Sequence, residues 1–171
     1  IGLLDADGND LAIAHEGVAS RDGTLMLEVH ELQQQFVFEG IPAEPTPSLL
    51  RNFSAPVKVR FPYTDAQLMQ LMSRDSDGFN RWDAAQNLLQ KTLLGMVEQR
   101  HAGDAMQVPD ELIGALRDAL FDEGAETALT AEVLTLPGIG YLGDMMDVVD
   151  VDGLYLARET LRRSVASELR E

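Results

Sequence analysis

The sequence FPYTDAQLMQLM, Phe61–Met72, decides the fold, because the spacing of apolar residues changes inside it. Before Tyr63–Asp65, apolar residues alternate singly between turn signals, as is typical of short strands. After it they recur every three or four residues, beginning with Leu68, Leu71 and Met72, as is typical of amphipathic helices. The sequence therefore predicts a small β unit joined directly to an array of helices.

The composition is that of a globular protein with an acidic surface. Of the 171 residues, 45% are apolar and 25% are charged, and the formal net charge is −16. A surface of this sign repels phosphate backbones, and no apolar run reaches the roughly 20 residues that a membrane-spanning helix needs. We therefore expect neither a nucleic-acid nor a membrane partner. The absence of cysteine excludes disulfides and thiolate chemistry.

Residues 1–63 are predicted to form a partial antiparallel β-sandwich. The expected strands are Ile1–Leu4, Leu11–Ala14, Thr24–His30, Gln35–Ile41, Ser48–Phe53 and Val57–Phe61. Asp5–Asp10 between the first two is a hairpin-turn signal, and the prolines of 42–47 are expected to break any ladder. A unit of about sixty residues has a marginal core, so we expect it to be stabilised by packing against the first helices and against strands outside this sequence.

Residues 64–171 are predicted to form the first helices of a stacked-helix, HEAT-like region. Thr64 or Asp65 is expected to cap the first helix, and Ser76 or Asp77 the second. The second helix has an apolar stripe of Phe79, Trp82, Ala85, Leu89, Leu93 and Met96. Together with the β unit, this order defines an α+β fold whose two kinds of structure are segregated along the chain.

Four later helices are expected, and their ends are less sharply marked. The first begins at Pro109, with Leu112, Leu116, Leu120 and Phe121 facing inward. The others are expected over Thr127–Leu134, Tyr141–Val148 and Val151–Leu169. Asp150 is the predicted cap of the last, whose inward face is Leu154, Leu161, Val165 and Leu169.

Two histidine motifs fall short of a zinc site. His30–Gln34 reads H-E-L-Q-Q, whereas the zinc motif H-E-x-x-H needs a second histidine in its fifth position. The segment also alternates like a strand, which would separate its ends by about 13 Å. His15–Ala19 lacks the same ligand, and His101 is far away in the sequence. We therefore expect no metal ligands here.

Three other patterns are better explained by local structure. Gly138–Gly143 matches G-x-G-x-x-G, but the preceding residues are helical in pattern, so a helix–loop–helix connection is expected. Asp5–Asp10 with Glu16 resembles a calcium loop without its essential sixth-position glycine, which favours a hairpin turn. Phe79 and Trp82 could stack on a ligand, but their helical spacing favours the core. We therefore predict no catalytic, cofactor-binding or metal-binding residue in this chain.

Several blocks of sequence resemble bacterial aminopeptidase N, a family of zinc-dependent alanyl aminopeptidases of the thermolysin-like clan. The blocks are FVFEGIP at Phe36–Pro42, PSLLRNFSAPVK at Pro47–Lys58, DGFNRWDAAQ at Asp77–Gln86 and AEVLTLP at Ala131–Pro137. The similarity runs along the whole chain, and its strongest blocks lie between Phe36 and Leu89. Their order is that of the family.

The resemblance implies a place inside a four-domain enzyme of the bacterial cytoplasm. This segment would supply the later strands of the β-sandwich domain and the first helices of the C-terminal helical domain. The family's zinc helix H-E-x-x-H, its third ligand Glu, its G-A-M-E-N motif and its catalytic Tyr belong to an upstream catalytic domain. None of them occurs in this sequence, so zinc and peptides are expected partners of the parent enzyme only.

We interpret the chain as an internal, non-catalytic segment that is inactive alone. It begins in a strand-like run at Ile1–Leu4 without an initiator methionine. Its expected role is to join the missing catalytic domain to a helical cap over the catalytic chamber. An unpaired strand edge would favour self-association. The alternatives are a free-standing helical protein-binding module with a β appendage, and a small independent hydrolase or oxidoreductase.

Overall fold

A computed structural model describes residues 1–168, which fold as two compact units. The first is Ile1–Arg81 and the second begins at Trp82. Short strands come first along the chain and helices follow, which confirms the predicted segregated α+β class. The first helix belongs to the first compact unit, and the domain boundary between Tyr63 and Thr64 stays a prediction.

In the described part of the chain, short strands form two antiparallel pairs. The strands are β1 (Gly2–Leu4), β2 (Ala14–His15), β3 (Val18–Ala19) and β4 (Thr46–Ser48). β1 pairs with β4 and β2 pairs with β3, so the prediction for Ile1–Leu4 is confirmed. Pro47 lies inside β4 opposite Leu3, contrary to the expected break in the ladder. Its carbonyl accepts a hydrogen bond from the Tyr63 hydroxyl at 2.7 Å, which shows that this side of β4 is an edge.

Most of the other predicted strands are wrong. No strand forms in three of the predicted ranges, which are Thr24–His30, Gln35–Ile41 and Val57–Phe61. In the predicted strand Leu11–Ala14, only Ala14 belongs to a strand. Leu25 is buried and its amide bonds to the Ile1 carbonyl at 2.8 Å, but the ladder does not continue beyond it. Alternation indicates which side chains face inward, whereas a strand also needs a partner that receives its hydrogen bonds.

Ser48–Phe53 is also wrong as a strand, because β4 ends at Ser48 and the chain turns sharply. Leu50, Asn52 and Phe53 have positive φ values of 53°, 56° and 53°, and Arg51–Phe53 forms a single 3₁₀ turn. Residues other than glycine rarely adopt this left-handed conformation, which costs about 1–2 kcal/mol each. Contacts of the turn with the rest of the first unit must offset that cost.

The first unit has a small apolar cluster in its β region and a helix that contacts β4. Leu3, Ile13 and Leu25 are buried together, flanked by partly buried apolar residues that include Phe38. Helix α1 (Asp65–Arg74) contacts β4 and buries the three predicted residues Leu68, Leu71 and Met72. The Thr64 hydroxyl accepts a bond from the Gln67 amide at 3.2 Å, which confirms the predicted cap. The β region therefore packs against the first helix, as expected.

Five more helices follow in the described residues. They are α2 (Gly78–Ala102), α3 (Asp110–Leu120), α4 (Thr127–Val133), α5 (Ile139–Gly143) and α6 (Val151–Glu168). In the second unit α6 contacts α3 and α5, and α3 contacts α4. Side chains that are fully buried there include Leu89, Leu93, Leu112, Leu142, Leu154 and Leu161. None of the described helices is both long enough and apolar enough to cross a membrane.

Some details of the helical prediction are wrong. The helix expected over Tyr141–Val148 is the shorter α5, and Val148 is 82% exposed. Leu120 and Phe121 are also exposed, because α3 ends at Leu120, whereas the inward positions of Leu112 and Leu116 are confirmed. In α6, Val165 is only half-buried, and the predicted Leu169 lies outside the described residues.

Candidate functional site

The most elaborate polar site in the first unit surrounds Arg51, whose side chain is almost fully buried. Its Nη2 donates to Asp10 Oδ1 at 2.6 Å and to Asp75 Oδ1 at 2.9 Å. Its Nε donates to Ser48 Oγ at 2.7 Å, and its Nη1 reaches the Gly23 carbonyl at 3.3 Å. One guanidinium thus joins the β region to the residues just after α1. The Arg51 cluster is defined here as Asp10, Ser48, Arg51, Asp75, Asp77 and Asn80.

Two glycines make room for this arrangement. A Cβ atom on Gly2 in β1 would overlap the Arg51 guanidinium. A Cβ atom on Gly23 would meet the Asp10 carboxylate at about 2.5 Å, and Gly23 also has a positive φ of 70°. The guanidinium therefore lies against backbone, where any larger side chain would displace it.

Asp75 is a fully buried partner of Arg51. Its Oδ1 accepts bonds from the guanidinium and, at 2.9 Å, from the Asp77 amide, while Oδ2 is buried without a hydrogen-bond partner. Burial raises the pKa of Asp75 above the ordinary aspartate value, although the Ser48 hydroxyl, the Asp77 amide and the charge of Arg51 oppose this shift. Such a buried charge is costly, so the pair contributes more to geometry than to net stability.

Asp77 and Asn80 attach the first turn of α2 to the turn that follows β4. Asp77 Oδ1 accepts the Asn80 amide at 2.9 Å, which confirms Asp77 as the predicted helix cap. Its Oδ2 accepts the Asn52 amide at 2.7 Å. The Asn80 side chain donates to Ser48 Oγ at 2.8 Å and to the Leu49 carbonyl at 2.9 Å. These bonds fix the left-handed turn and help to offset its strain.

A surface pocket of about 480 Å³ lies beside the Arg51 cluster. Its wall carries both signs of charge, with Arg21 and Arg51 against Asp22 and Asp77. Arg51 and Asp77 already bind groups within the protein, as described above. Two of the four charged groups on this wall are therefore already engaged inside the protein and are not available to a ligand.

Each histidine singled out by the sequence faces a different local partner. His15 Nδ1 lies 3.0 Å from the Val37 carbonyl, and its ring packs edge-on against Phe36. His30 Nε2 lies 3.0 Å from Glu28 on the surface. Among residues 1–168, no three histidine or carboxylate side chains come together to hold a metal ion. These residues do not fit the zinc of the resembled family, so we derive no chemistry from it here.

The remaining motifs are structural where the structure describes them. Gly138–Gly143 begins and forms α5 in the connection between α4 and α6, close to the predicted helix–loop–helix arrangement. The Asp5 carboxylate accepts hydrogen bonds from the backbone amides of Asp7 and Asn9 at 2.9 and 2.8 Å. Gly8 has a positive φ of 84°, and together these features confirm a turn. The Asn9 bonds are the main cause of the lowered pKa of Asp5.

Phe79 and Trp82, which were expected to be buried in the core, are more exposed than predicted. Phe79 is 39% exposed and packs edge-on against Phe53, with ring centroids 4.9 Å apart, so its prediction as a core residue is wrong. Trp82 is half-buried. The rest of the predicted α2 stripe is confirmed, since Leu89, Leu93 and Met96 are fully buried.

In the second unit, Asp150 caps α6 as predicted. Its Oδ1 accepts the Gly153 amide at 2.8 Å, and its Oδ2 lies 2.8 Å from both Arg100 Nη1 and His101 Nε2. The Gly153 amide, followed by His101 and then Arg100, lowers the pKa of Asp150. This group joins the end of α2 to the start of α6, with Arg100 and His101 exposed and Asp150 half-buried.

Sequence reasoning missed the Arg51 cluster. Its partners Asp10 and Asp75 lie 41 and 24 positions away from Arg51, so no local spacing connects them. A signal was present in Arg51, the single charged residue of Pro47–Phe53, since a charge among mostly uncharged residues is either exposed or paired.

The architecture defines an immunoglobulin-like β region followed by helices of the armadillo-repeat type. A family model described as "Domain of unknown function (DUF3458) Ig-like fold" matches residues 1–62, and one described as "Domain of unknown function (DUF3458_C) ARM repeats" matches residues 65–171. The second covers more than half of the chain, which therefore belongs to this family.

Several named proteins to which the chain is similar are aminopeptidases. The chain is 38% identical to aminopeptidase N of Escherichia coli over 84% of its own length, and 33% identical to that of Haemophilus influenzae over 100%. It spans only 17% and 19% of those proteins. A crystal structure of Legionella pneumophila aminopeptidase A superposes with a TM-score of 0.69 and 27% identity, over 98% of this chain and 18% of that one. The resemblance to bacterial aminopeptidase N is confirmed.

Proposed function

We propose that this chain is a non-catalytic structural segment of a zinc metallo-aminopeptidase. The parent enzyme would remove N-terminal residues from peptides with a zinc-activated water held in another domain. This segment would join the β domain to the helical domain and build the first part of a cap over the catalytic chamber. The proposal rests chiefly on one observation, which is that the chain aligns along its length with less than a fifth of named aminopeptidases.

The polar groups of the segment support a structural role. Arg51, Asp75, Asp77 and Asn80 are all engaged with one another or with backbone, and none of them is arranged as a nucleophile beside a base. A joint made of internally paired groups holds two elements together without acting on a substrate. This is the chemistry expected of a scaffold.

The test compares the purified 171-residue chain with the full-length protein that contains it. We expect the full-length protein to hydrolyse an alanyl chromogenic amide and to bind zinc stoichiometrically. The isolated chain, shown to be folded by circular dichroism, should do neither. Turnover by the isolated chain together with bound zinc would contradict the proposal, as would a full-length protein without peptidase activity.

We further expect the isolated chain to self-associate through residues 25–41, which lie outside the described strands. Met26 and Val29 lie in this segment and are 68% and 70% exposed. Open backbone groups beside exposed apolar side chains favour strand pairing between copies. Gel filtration should show a concentration-dependent dimer that Val29→Lys weakens and that the control Val148→Lys leaves unchanged. A strict monomer at high concentration would contradict this expectation.

A further inference from the structure

The segment Val57–Phe61 alternates in sequence like a strand but pairs with no strand in the described part of the chain. Val57, Val59 and Phe61 are 59%, 46% and 42% exposed, and Lys58 and Arg60 between them are also exposed. Among residues 1–168, none accepts a hydrogen bond from the backbone amides of residues 58–61. Open amides beside exposed apolar side chains are the features of an edge to which another strand adds.

The immunoglobulin-like family model that matches this region describes a larger β structure than the described residues form. It matches residues 1–62, and within them the structure shows four strands of two or three residues each. A complete fold of this class has about seven strands in two sheets. The chain spans only 17% and 19% of two similar aminopeptidases N, so a parent protein of that length has ample chain for further strands.

The charges of the segment indicate the chemistry of the strand that it fits. Lys58 and Arg60 are exposed cations in a chain with a formal net charge of −16, and neither forms an ion pair with a described residue. An antiparallel pair of two copies centred on Val59 would place Lys58 opposite Arg60, and like charges in that position are destabilising. A second copy is therefore a poor partner, whereas a strand with Asp or Glu places opposite charges across the pair.

We propose that Val57–Phe61 is a docking edge for a strand of the parent protein outside these 171 residues, in which apolar residues alternate with Asp or Glu. The inference rests on the function proposed above, since it takes the chain as a segment of a longer protein. When the segment pairs as a strand, alternate side chains share a face. Val57, Val59 and Phe61 then lie beside apolar residues of the partner, and Lys58 and Arg60 lie beside its carboxylates.

The test is amide hydrogen exchange, followed by mass spectrometry, in the full-length protein and in the isolated 171-residue chain. We expect the amides of residues 58–61 to exchange about tenfold or more slowly in the full-length protein, the factor that corresponds to one net hydrogen bond. In the isolated chain they should exchange at the unprotected rate. The amide of Leu71 in α1 is the internal control, because its helical hydrogen bond protects it in both proteins.

Combining Lys58→Glu with Arg60→Glu tests whether the partner strand is acidic. In the full-length protein, this double reversal should restore most of the fast exchange that the isolated chain shows for residues 58–61. Arg60→Gln, which removes one charge, should act in the same direction with a smaller effect. The matched control is Lys91→Glu, the same reversal at an exposed position of α2, which should leave the exchange of residues 58–61 unchanged.

Fast exchange of residues 58–61 in both proteins would overturn the proposal. Equally slow exchange in both would do the same, because the isolated chain would then cover the segment itself. Protection that survives the double reversal would also contradict it, since the partner would not be acidic. If the double variant loses the protection of α1, Arg60→Gln decides, and unchanged exchange in that variant counts against the proposal. A full-length protein without peptidase activity would contradict the proposed function but would not alter the exchange result.

Discussion

Replacing Arg51 with methionine is expected to destabilise the first unit by about 3–5 kcal/mol, because the fully buried Asp75 loses its cation. Methionine nearly fills the volume of the arginine stem, so the loss comes mainly from the uncompensated charge and from the freed Ser48 and Asp10. Urea unfolding followed by circular dichroism measures the change as a lower midpoint.

The matched control is Arg60→Met, which makes the same substitution at an exposed arginine. Its effect should stay within about 0.5 kcal/mol. Adding Asp75→Asn to Arg51→Met removes the stranded charge, so the double variant should lose less than the sum of the two single losses, with a coupling of about 0.5–3 kcal/mol. Additive losses, or equal effects at Arg51 and Arg60, would show that Arg51 and Asp75 are not energetically paired.

Leu161→Ala is expected to destabilise the second unit by about 2–5 kcal/mol, because Leu161 is fully buried on α6. The substitution removes packed methyl groups and leaves a cavity in the core where α6 contacts α3 and α5. Fluorescence of Trp82, the only tryptophan in the sequence, follows unfolding of this unit in urea.

Leu156→Ala on the same helix is the control for that substitution. Leu156 is 45% exposed, so its truncation should cost less than about 1 kcal/mol. Both changes have the same effect on intrinsic helix propensity, so the difference between them isolates burial. Similar losses at the two positions would mean that α6 is not packed as described.

The helical half was predictable because its determinants are local. The Thr64 cap with Gln67, the Asp77 cap with Asn80 and the Asp150 cap with Gly153 each join residues three positions apart. The apolar stripe of α2 likewise needs only the helical period. Helix ends were predicted less accurately where such capping signals are absent. An example is α5, which ends at Gly143 and not at the predicted Val148.

The β half was less predictable because its structure depends on distant partners. Thr24–His30 and Val57–Phe61 have the composition of strands, but the described residues offer them no continuous ladder. The Arg51 cluster is the extreme case, since it unites residues from before β2 to the start of α2. Only the fold shows that Ser48–Phe53 turns inward to bury a charge instead of continuing as a strand.

The most direct test of the central claim, that this segment is scaffolding of a peptidase, is the gene sequence upstream of Ile1. The claim predicts an open reading frame that continues upstream and encodes an H-E-x-x-H helix and its third glutamate ligand. A gene that starts at or near Ile1, with no such helix encoded before it, would contradict the claim.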